Sequence, residues 1–337
     1  MLTRVSELYY LQKIRNRIEK ENHVVKKTTL FLMSVTMTTF FAPTVSAGNL
    51  VLMTGEEAGA YYEFGNVLAR EINDSSDTSV TVAASADPME NLQAIADGSA
   101  DLAFVPSDIM TYAYEGSVLF ENEMPQDFSA VASLYMEPVQ IVTCNPDIKS
   151  IQDLNGKKVS IGTLSSNVRF NAIDILDVYG LSEEHIIPVY ESFDDCADGL
   201  RDGSLDAAFV TADAPLPAIT ALSTVEHFRF ISLDDDHTEA LLEVYPYYSR
   251  SIIDAGMYDL ETDVNTVAVS AVIITRNDTP EDDIYNFISS IFENRDTITD
   301  AHQKGAMLDP EFAASIFTVP YHAGATKYFE EKDIPFF

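Results

Sequence analysis

Two twelve-residue segments that lie 105 positions apart are nearly identical, and they limit the folds open to this chain. Residues 97–108 read DGSADLAFVPSD and residues 202–213 read DGSLDAAFVTAD, with eight of twelve positions the same. In each segment a helical pattern ends at Gly98 or Gly203, where a left-handed residue is favoured, and a buried apolar strand follows. A repeat at a fixed offset predicts two similar α/β lobes. The alternative is coincidence, because helix, glycine and strand is a common order in α/β proteins.

Small polar residues follow each repeated strand. Ser107 and Asp108 follow the first strand, and Thr211 and Asp213 follow the second. Ligands of open α/β sheets bind at the carboxyl ends of the strands, so these side chains are candidates for a site between the lobes. Ser85 ends another strand in the same way. Each of these side chains could equally cap a helix or a turn.

The charge of the chain narrows the classes of function. The 337 residues include 54 acidic and 20 basic side chains, a net charge of −34 at pH 7. Such a protein is repelled by nucleic-acid phosphates and by anionic lipids, so we expect no nucleic-acid partner. The hydrophobic content of 46% is enough for one large core or two medium ones. We expect the protein to be a monomer.

The N-terminal region has the layout of an export signal. Residues 25–47 contain two lysines, an apolar run over residues 30–41 and small residues before the expected cleavage after Ala47. The apolar run is too short to span a membrane. We therefore expect a periplasmic or secreted protein. Residues 1–24 are explained by a start codon placed too early, with Val25 as the true initiator, or by a long n-region of the signal.

The remaining chain divides into two lobes of alternating strands and helices. We predict a first lobe over residues 48–138, a second lobe over residues 139–246, and a C-terminal segment, residues 247–337, that returns to the first lobe and bridges the two. Each lobe is predicted to be a mostly parallel sheet flanked by helices. Cys144 and Cys196 both fall in the second lobe, where a disulfide and two free thiols remain open alternatives.

The loop TGEEAG between the first strand and the first helix is a candidate ligand loop. Backbone N–H groups at Gly55 and at the helix N-terminus favour an anion there. Glu56 and Glu57 would repel a dianion or attract an ammonium group, or they complement the helix dipole from solvent. One of Tyr61 and Tyr62 should face the core and leave the other for the cleft.

A second candidate loop precedes a helix of the second lobe. Ser166 and Asn167 lie in the turn, and Arg169 lies in the first turn of the helix, where a cation opposes the helix dipole and so needs another reason to be present. A guanidinium at this position suits a ligand carboxylate. The alternative is an ion pair with one of the many acidic residues.

Signatures of catalysis and of metal binding are weak. The histidines show no HxH or HExxH spacing, no GxSxG motif occurs, and the cysteines lack a paired-metal pattern. We expect no catalytic residues, no metal and no cofactor. The run from Asp234 to His237 is better explained as a solvated loop than as a calcium loop. A secreted enzyme in which Asp108 and Asp213 form a carboxylate pair is the less favoured alternative.

Several segments, taken in order, resemble one family. The chain is similar to the TAXI family, the extracytoplasmic solute receptors of a class of TRAP transporters, over about residues 49–333. The resemblance rests on the segments TGEEAG-AYYEFG, ENLQAIADGSADLAFVPSD, IKSIQDLNGKKVSIGTLSSNVRFNA, LRDGSLDAAFVTADAPLPAI and YHAGATKYFEEK.

The resemblance implies a fold and a function. It implies a two-lobed periplasmic-binding-protein fold of type II, which closes on a small carboxylate, often a glutamate-like amino acid or a related keto or dicarboxylic acid, and delivers it to a membrane permease. The family's first loop is richer in glycine than TGEEAG, and its second loop usually reads SGT where this chain has Ser166 to Val168. These differences favour an amino acid over a plain dianion. A sensing domain that signals to a membrane partner is the other alternative. The candidate ligand-binding residues are Gly55, Tyr61, Tyr62, Ser85, Ser107, Ser166, Asn167, Arg169, Thr211 and Asp213.

Overall fold

Ten strands form one mixed sheet in a computed structural model that describes residues 48–117, 127–225 and 227–337. The predicted signal at residues 25–47 and the segment 1–24 lie outside the described residues. The strands are β1 (Asn49–Met53), β2 (Ser79–Ala83), β3 (Leu102–Pro106), β4 (Phe128–Thr143), β5 (Lys158–Ser160), β6 (Ile187–Val189), β7 (Ala207–Thr211), β8 (Arg229–Phe230), β9 (Ser249–Ile253) and β10 (Val264–Arg276).

Helices connect these strands and cover the C-terminal part of the chain. Those in the described residues are α1 (Ala60–Ser75), α2 (Pro88–Asp97), α3 (Ser107–Glu115), α4 (Asn167–Val178), α5 (Phe193–Asp202), α6 (Pro217–Leu222), α7 (Asp235–Val244), α8 (Glu281–Glu293), α9 (Arg295–Ala301), α10 (Pro310–Ala313) and α11 (Ala323–Glu331). Short 3-10 helices lie at Ile151–Leu154, Glu183–His185, Ala255–Met257 and Gln303–Met307.

The two repeated strands occupy equivalent places in the sheet. The strand order is β2-β1-β3-β10-β4-β7-β5-β6, with β8 beside β4 and β9 beside β10. The first repeat supplies β3, which lies between parallel β1 and antiparallel β10, and the second supplies β7, between parallel β5 and antiparallel β4. We call the β2-β1-β3 end the first lobe and the β7-β5-β6 end the second lobe. The α/β prediction, with a largely parallel sheet in each lobe, is confirmed.

Helix ends in both repeats follow the predicted chemistry. Gly98 and Gly203 end α2 and α5 in the left-handed region, at φ of 78° and 76°. Asp87 caps α2, since its side chain accepts from the backbone N–H groups of Met89 and Glu90. Leu92 and other apolar side chains on this helix are buried. Burial of that face against the sheet is what holds so short a helix in place.

Two long antiparallel strands, β4 and β10, connect the lobes. β4 runs unbroken from Phe128 to Thr143, through Glu137 and Pro138. Pro138 is tolerated because it lies where β4 stops pairing with β10 and starts pairing with β7, so its missing N–H breaks no ladder.

The run from Asp234 to His237, which was expected to be a solvated loop, needs a correction. Asp234 caps α7 by accepting from the backbone N–H of His237, so the acidic run is a helix start and not a solvated loop. The helix is followed by β9. Asp side chains at the first turn suit the helix dipole, which explains the local preference.

The C-terminal helices pack against the first lobe. α8 contacts α1 and α11, and α10 contacts β4. Cys144 and Cys196 are both free thiols, and Cys196 is buried with its Sγ donating to Ser160 Oγ. The 3-10 helix at Gln303–Met307 also contacts β4, the strand that crosses between the lobes.

Candidate functional site

The ends of the two repeated strands are joined through one side chain, Asn171. This residue lies on α4 of the second lobe and is fully buried. Its Nδ2 donates to Asp108 Oδ2 of the first lobe at 2.7 Å and to the Tyr248 hydroxyl at 2.8 Å. Its Oδ1 accepts from Thr211 Oγ1 at 2.7 Å. Asn171 therefore holds the two lobes together at the carboxyl ends of β3 and β7.

A second bridge joins the lobes through the loop that precedes α4. Ser165 Oγ donates to Asp87 Oδ2 at 2.9 Å. Asp87 uses its other carboxylate oxygen to cap α2. The same carboxylate thus fixes a helix start in one lobe and contacts the other lobe.

A cluster of tyrosines and one carboxylate lies beside Asn171. Asp174 accepts from the hydroxyls of Tyr112, Tyr247 and Tyr248, at 2.7, 2.8 and 3.0 Å. Tyr112 belongs to the first lobe and Asp174 to α4 of the second. Burial raises the pKa of Asp174 to about 6, although the three donors oppose that rise. This cluster also connects the lobes.

A third group lies where β4 crosses between the lobes. The Tyr61 hydroxyl donates to Glu137 Oε2 at 2.8 Å. Lys304 is 3% exposed, pairs with Asp213, and holds its Nζ 3.4 Å from the centre of the Tyr135 ring. A cation over an aromatic face is favourable, and more so when water is excluded. The group therefore combines two carboxylates, one ammonium and two phenols.

Several buried side-chain atoms have no hydrogen-bonding partner among the described residues, and one of them, Tyr135 Oη, lies on β4. Tyr135 lies level with the end of β3, because Tyr135 pairs with Ala271 and Ala271 with Pro106. A buried polar atom without a partner is costly and therefore points to a missing contact. The atoms are Ser85 Oγ, Asn91 Oδ1, Asp108 Oδ1 and Tyr135 Oη.

Two carboxyl groups at this site resist ionisation. Burial raises the pKa of Asp108 to about 7, with Asp174 adding to the rise, while the Ile109 N–H and Asn171 oppose it. Burial also raises the pKa of Glu137 to about 7, with Asp213 adding, while Tyr61 and Lys304 oppose it. In both groups the effect of burial outweighs the donors and charges that favour the ionised form.

The sequence matches a known family model over most of its length. The match covers residues 52–332 and is to the NMT1-like family. The chain belongs to the NMT1-like family.

Solved structures with the same fold include solute-binding proteins. A TctC solute-binding protein from Polaromonas is 16% identical, with 78% of this chain and 90% of that chain covered and a TM-score of 0.52. The periplasmic aliphatic sulphonate binding protein SsuA from Escherichia coli is 16% identical over 78% and 80% of the two chains, with a TM-score of 0.46. The GluR0 ligand-binding core from Nostoc punctiforme, in complex with L-glutamate, is 18% identical over 76% and 98%, with a TM-score of 0.46. The similarity to the TctC protein establishes the fold of this NMT1-like protein.

Some predicted site residues of this NMT1-like protein take part in, or lie beside, the contacts described above. Thr211 bonds Asn171 and Asp213 pairs with Lys304. Ser85 is buried with its hydroxyl unpartnered, and its backbone N–H donates to the Gly55 carbonyl. Tyr61 stacks on Phe104 and bonds Glu137.

Other predicted residues have different surroundings. The Ser107 hydroxyl accepts from the Ser270 N–H and donates to the Tyr247 carbonyl. Ser166 precedes α4 but its hydroxyl donates to the Thr163 carbonyl, so it does not cap the helix through its side chain. Tyr62 and Asn167, the first residue of α4, are half-buried.

Arg169 is occupied by an ion pair in the second lobe. Its Nη2 lies 3.1 Å from Glu183 Oε2, and its guanidinium lies 6.0 Å from the centre of the Tyr190 ring. The Arg169 and Tyr190 donors keep the pKa of Glu183 low even though its partial burial acts in the opposite direction. The ion pair is the alternative that the sequence left open, and a role of Arg169 in binding stays a prediction.

Sequence reasoning missed four residues of the cleft. None of them lies in a loop between a strand and a helix, where ligand-binding residues were sought. Asn171 is in α4, Tyr135 and Glu137 are in β4, and Lys304 is in the C-terminal segment. A signal was present for Lys304, because few basic residues follow the predicted signal. A buried polar residue in a strand such as Glu137 also marks a functional position.

Some kinds of site are not found in the part of the chain that the structure describes. Within it, no group of three or more His, Cys, Asp or Glu side chains has the arrangement of a metal site. None of the helices in residues 48–117, 127–225 and 227–337 combines the length and apolar character of a membrane span. Asp108 and Asp213, the pair expected of an enzyme, have different partners, Asn171 and Lys304.

Proposed function

We propose that this NMT1-like protein is an extracytoplasmic solute receptor. It binds a small carboxylate, a glutamate-like amino acid or a related keto or dicarboxylic acid, between its lobes. The observation that carries the proposal is a set of buried polar atoms without partners, Ser85 Oγ, Asp108 Oδ1 and Tyr135 Oη, of which Asp108 also bonds Asn171 of the other lobe. The fold shared with a TctC solute-binding protein supports it.

Hinge closure follows from the same atoms. A solute that supplies partners to Asp108 Oδ1 and Tyr135 Oη binds the closed arrangement more tightly than the open one, and so shifts the population towards closure. The hydrogen bonds of Asn171 and Ser165 between the lobes form when the lobes close and break when they separate. The two long strands β4 and β10 are the connections about which the lobes move.

Two cations are available for the carboxylate of the solute. Lys304 has three N–H donors and a single carboxylate partner, Asp213, so it can accept a second anion. Arg169 lies at the start of α4 and binds the solute by exchanging Glu183 for the solute's carboxylate. Ser166 and Asn167 lie one turn away, where backbone donors of the helix start add to either contact.

We propose that the bound solute is delivered to a membrane permease for transport. The predicted signal at residues 25–47 supports export, and the resemblance to the TAXI family supports a TRAP-type permease as the membrane partner. The permease favours the open, unliganded form and so releases the solute. Uptake of a labelled solute by vesicles that contain the permease should require this protein; uptake at the same rate without it would argue against the partner.

A thermal-shift panel of small carboxylates and amino acids tests the receptor function. A ligand present at about 100 times its dissociation constant stabilises the folded protein by about 2.7 kcal/mol. We expect at least one member to raise the midpoint of unfolding by several degrees, with affinity then measured by calorimetry. If no member of the panel shifts the midpoint, the receptor proposal fails.

A further inference from the structure

We propose that Asp108 and Glu137 form an ammonium subsite in this cleft, so that the solute must carry a protonated amino group. The inference rests on the proposed receptor function and narrows the class of solute. A plain dicarboxylate, keto acid or sulfonate of the same shape is rejected.

The hydrogen bonds around Asp108 leave one carboxylate oxygen without a side-chain donor. Asp108 is fully buried, and its Oδ2 is taken by Asn171 while its Oδ1 has no partner. Both Nδ2 hydrogens of Asn171 are committed, one to Asp108 and one to Tyr248. The Tyr248 hydroxyl donates to Asp174, and the Thr211 hydroxyl donates to Asn171. These side-chain donors are thus in use, the Ile109 N–H is the backbone donor beside the carboxyl group, and Asp108 Oδ1 can still accept from a ligand.

Glu137 belongs to the same subsite through Tyr61. The Tyr61 hydroxyl donates to Glu137, and the charges of both Glu137 and Asp108 act on it, adding to burial in raising the Tyr61 pKa. Tyr61 is stacked on Phe104 at 4.9 Å between ring centres, which fixes its position. The charges of both carboxyl groups therefore act on the same phenol. A compact ammonium with three donors suits two such acceptors.

The balance of charge favours a cation over a further anion. Asp108, Asp174 and Glu137 are buried, and Lys304 is paired with Asp213. A ligand with two negative charges and no amine would add to this excess in a site from which water is largely removed. An ammonium group would instead keep Asp108 and Glu137 ionised and paired, against the burial that raises both pKa values to about 7. The ligand's own carboxylate then meets Lys304 or Arg169.

The test compares matched ligands that differ by the amino group. The pairs are L-glutamate with glutarate, L-aspartate with succinate, L-alanine with propionate and taurine with ethanesulfonate. Calorimetry on the purified protein should show binding of one or more amino-bearing members, at least 30-fold tighter than the partner without the amine.

Asp108→Asn should weaken that binding about 10- to 100-fold, the range for a charge-assisted hydrogen bond. Asp283→Asn is the matched control, because Asp283 is also buried but bonds Thr78 outside the cleft.

The outcomes separate this inference from the receptor function. Equal affinity for both members of a pair, or near-native affinity in Asp108→Asn, overturns the ammonium subsite and leaves the receptor intact. Binding of no ligand in the panel overturns both. If Asp108→Asn does not fold, as judged by circular dichroism, Glu137→Gln takes its place: a loss of the preference for the amine supports the subsite, and an unchanged preference rejects it.

Discussion

Lys304 comes from a short 3-10 helix near the C-terminus and provides positive charge to carboxylates that lie far away in sequence. It is almost fully buried, with its ammonium on Asp213 and over the Tyr135 ring. A charge this deeply buried is stable only when it is paired, and removing one partner of such a pair costs several kcal/mol in known cases. Arg169 differs, since its side chain keeps 19% of its surface exposed beside Glu183.

The roles of the two cations can be separated by substitution. We expect Arg169→Ala to weaken binding of the solute about 10- to 100-fold, because a bidentate contact to a carboxylate is lost. Glu183→Gln should leave affinity unchanged or improve it, because the guanidinium no longer has to exchange partners. Calorimetry measures both. Near-native affinity in Arg169→Ala would assign that residue to its ion pair alone and leave Lys304 as the cation of the site.

The repeat acts at the scale of secondary-structure elements. Each copy consists of a helix that ends in a left-handed glycine and a strand that lies between one parallel and one antiparallel neighbour. The two copies then diverge, because β3 runs directly into α3 whereas β7 is followed by an irregular segment before α6. This difference brings Asp108 to a helix start and leaves Asp213 free to reach Lys304.

The contribution of the left-handed Gly203, at the end of α5, to stability can be measured by substitution. A Cβ at Gly203 would meet no atom within 4 Å, so Gly203→Ala changes only the backbone energy. We expect the free energy of unfolding to fall by about 1–2 kcal/mol, and by less in Gly203→Asn, since asparagine tolerates this conformation better. Urea unfolding measures the difference. Equal stability of the alanine variant and the wild type would contradict the left-handed cap.

Buried carboxyl groups link the site to the stability of the whole molecule. Burial raises the pKa to about 7 for Asp108 and Glu137 and to about 6 for Asp174. The folded protein therefore holds protons that the unfolded chain releases near pH 4. The resulting stabilisation is complete below that pH and is lost as the pH rises through about 6 to 7. The free energy of unfolding of the unliganded protein is thus lower at pH 8 than at pH 5.

This pH dependence should depend on the cleft residues themselves. A tenfold change in proton affinity is worth about 1.4 kcal/mol, so we expect the ligand-free protein to lose several kcal/mol between pH 5 and pH 8. In Asp108→Asn/Glu137→Gln the loss should be much smaller. Urea unfolding at high salt measures it, because salt screens the surface acids that act in the same direction. An equal loss in the wild type and the double variant would assign the effect to the surface charge.

The sequence by itself determined much of the architecture. The repeat, the glycine ends of α2 and α5 and the Asp87 cap follow from local rules, because helix ends and buried strands are decided within a few residues. Local rules failed at Glu137 and Pro138, where the strand continues because its pairing changes neighbours. They failed again at Asp234, which starts a helix.

The site was decided by the tertiary structure. Ser85, Thr211 and Asp213 could be predicted as candidates because they follow strands, but their partners could not. Asn171 joins Asp108 and Thr211, which are 103 positions apart, and Lys304 meets Asp213 across 91 positions. Contacts over such separations depend on how lobes and C-terminal segment pack, and no short-range pattern records that packing. The sequence therefore determined the two lobes, and only their packing decided which polar groups are paired and which acceptor remains for a ligand.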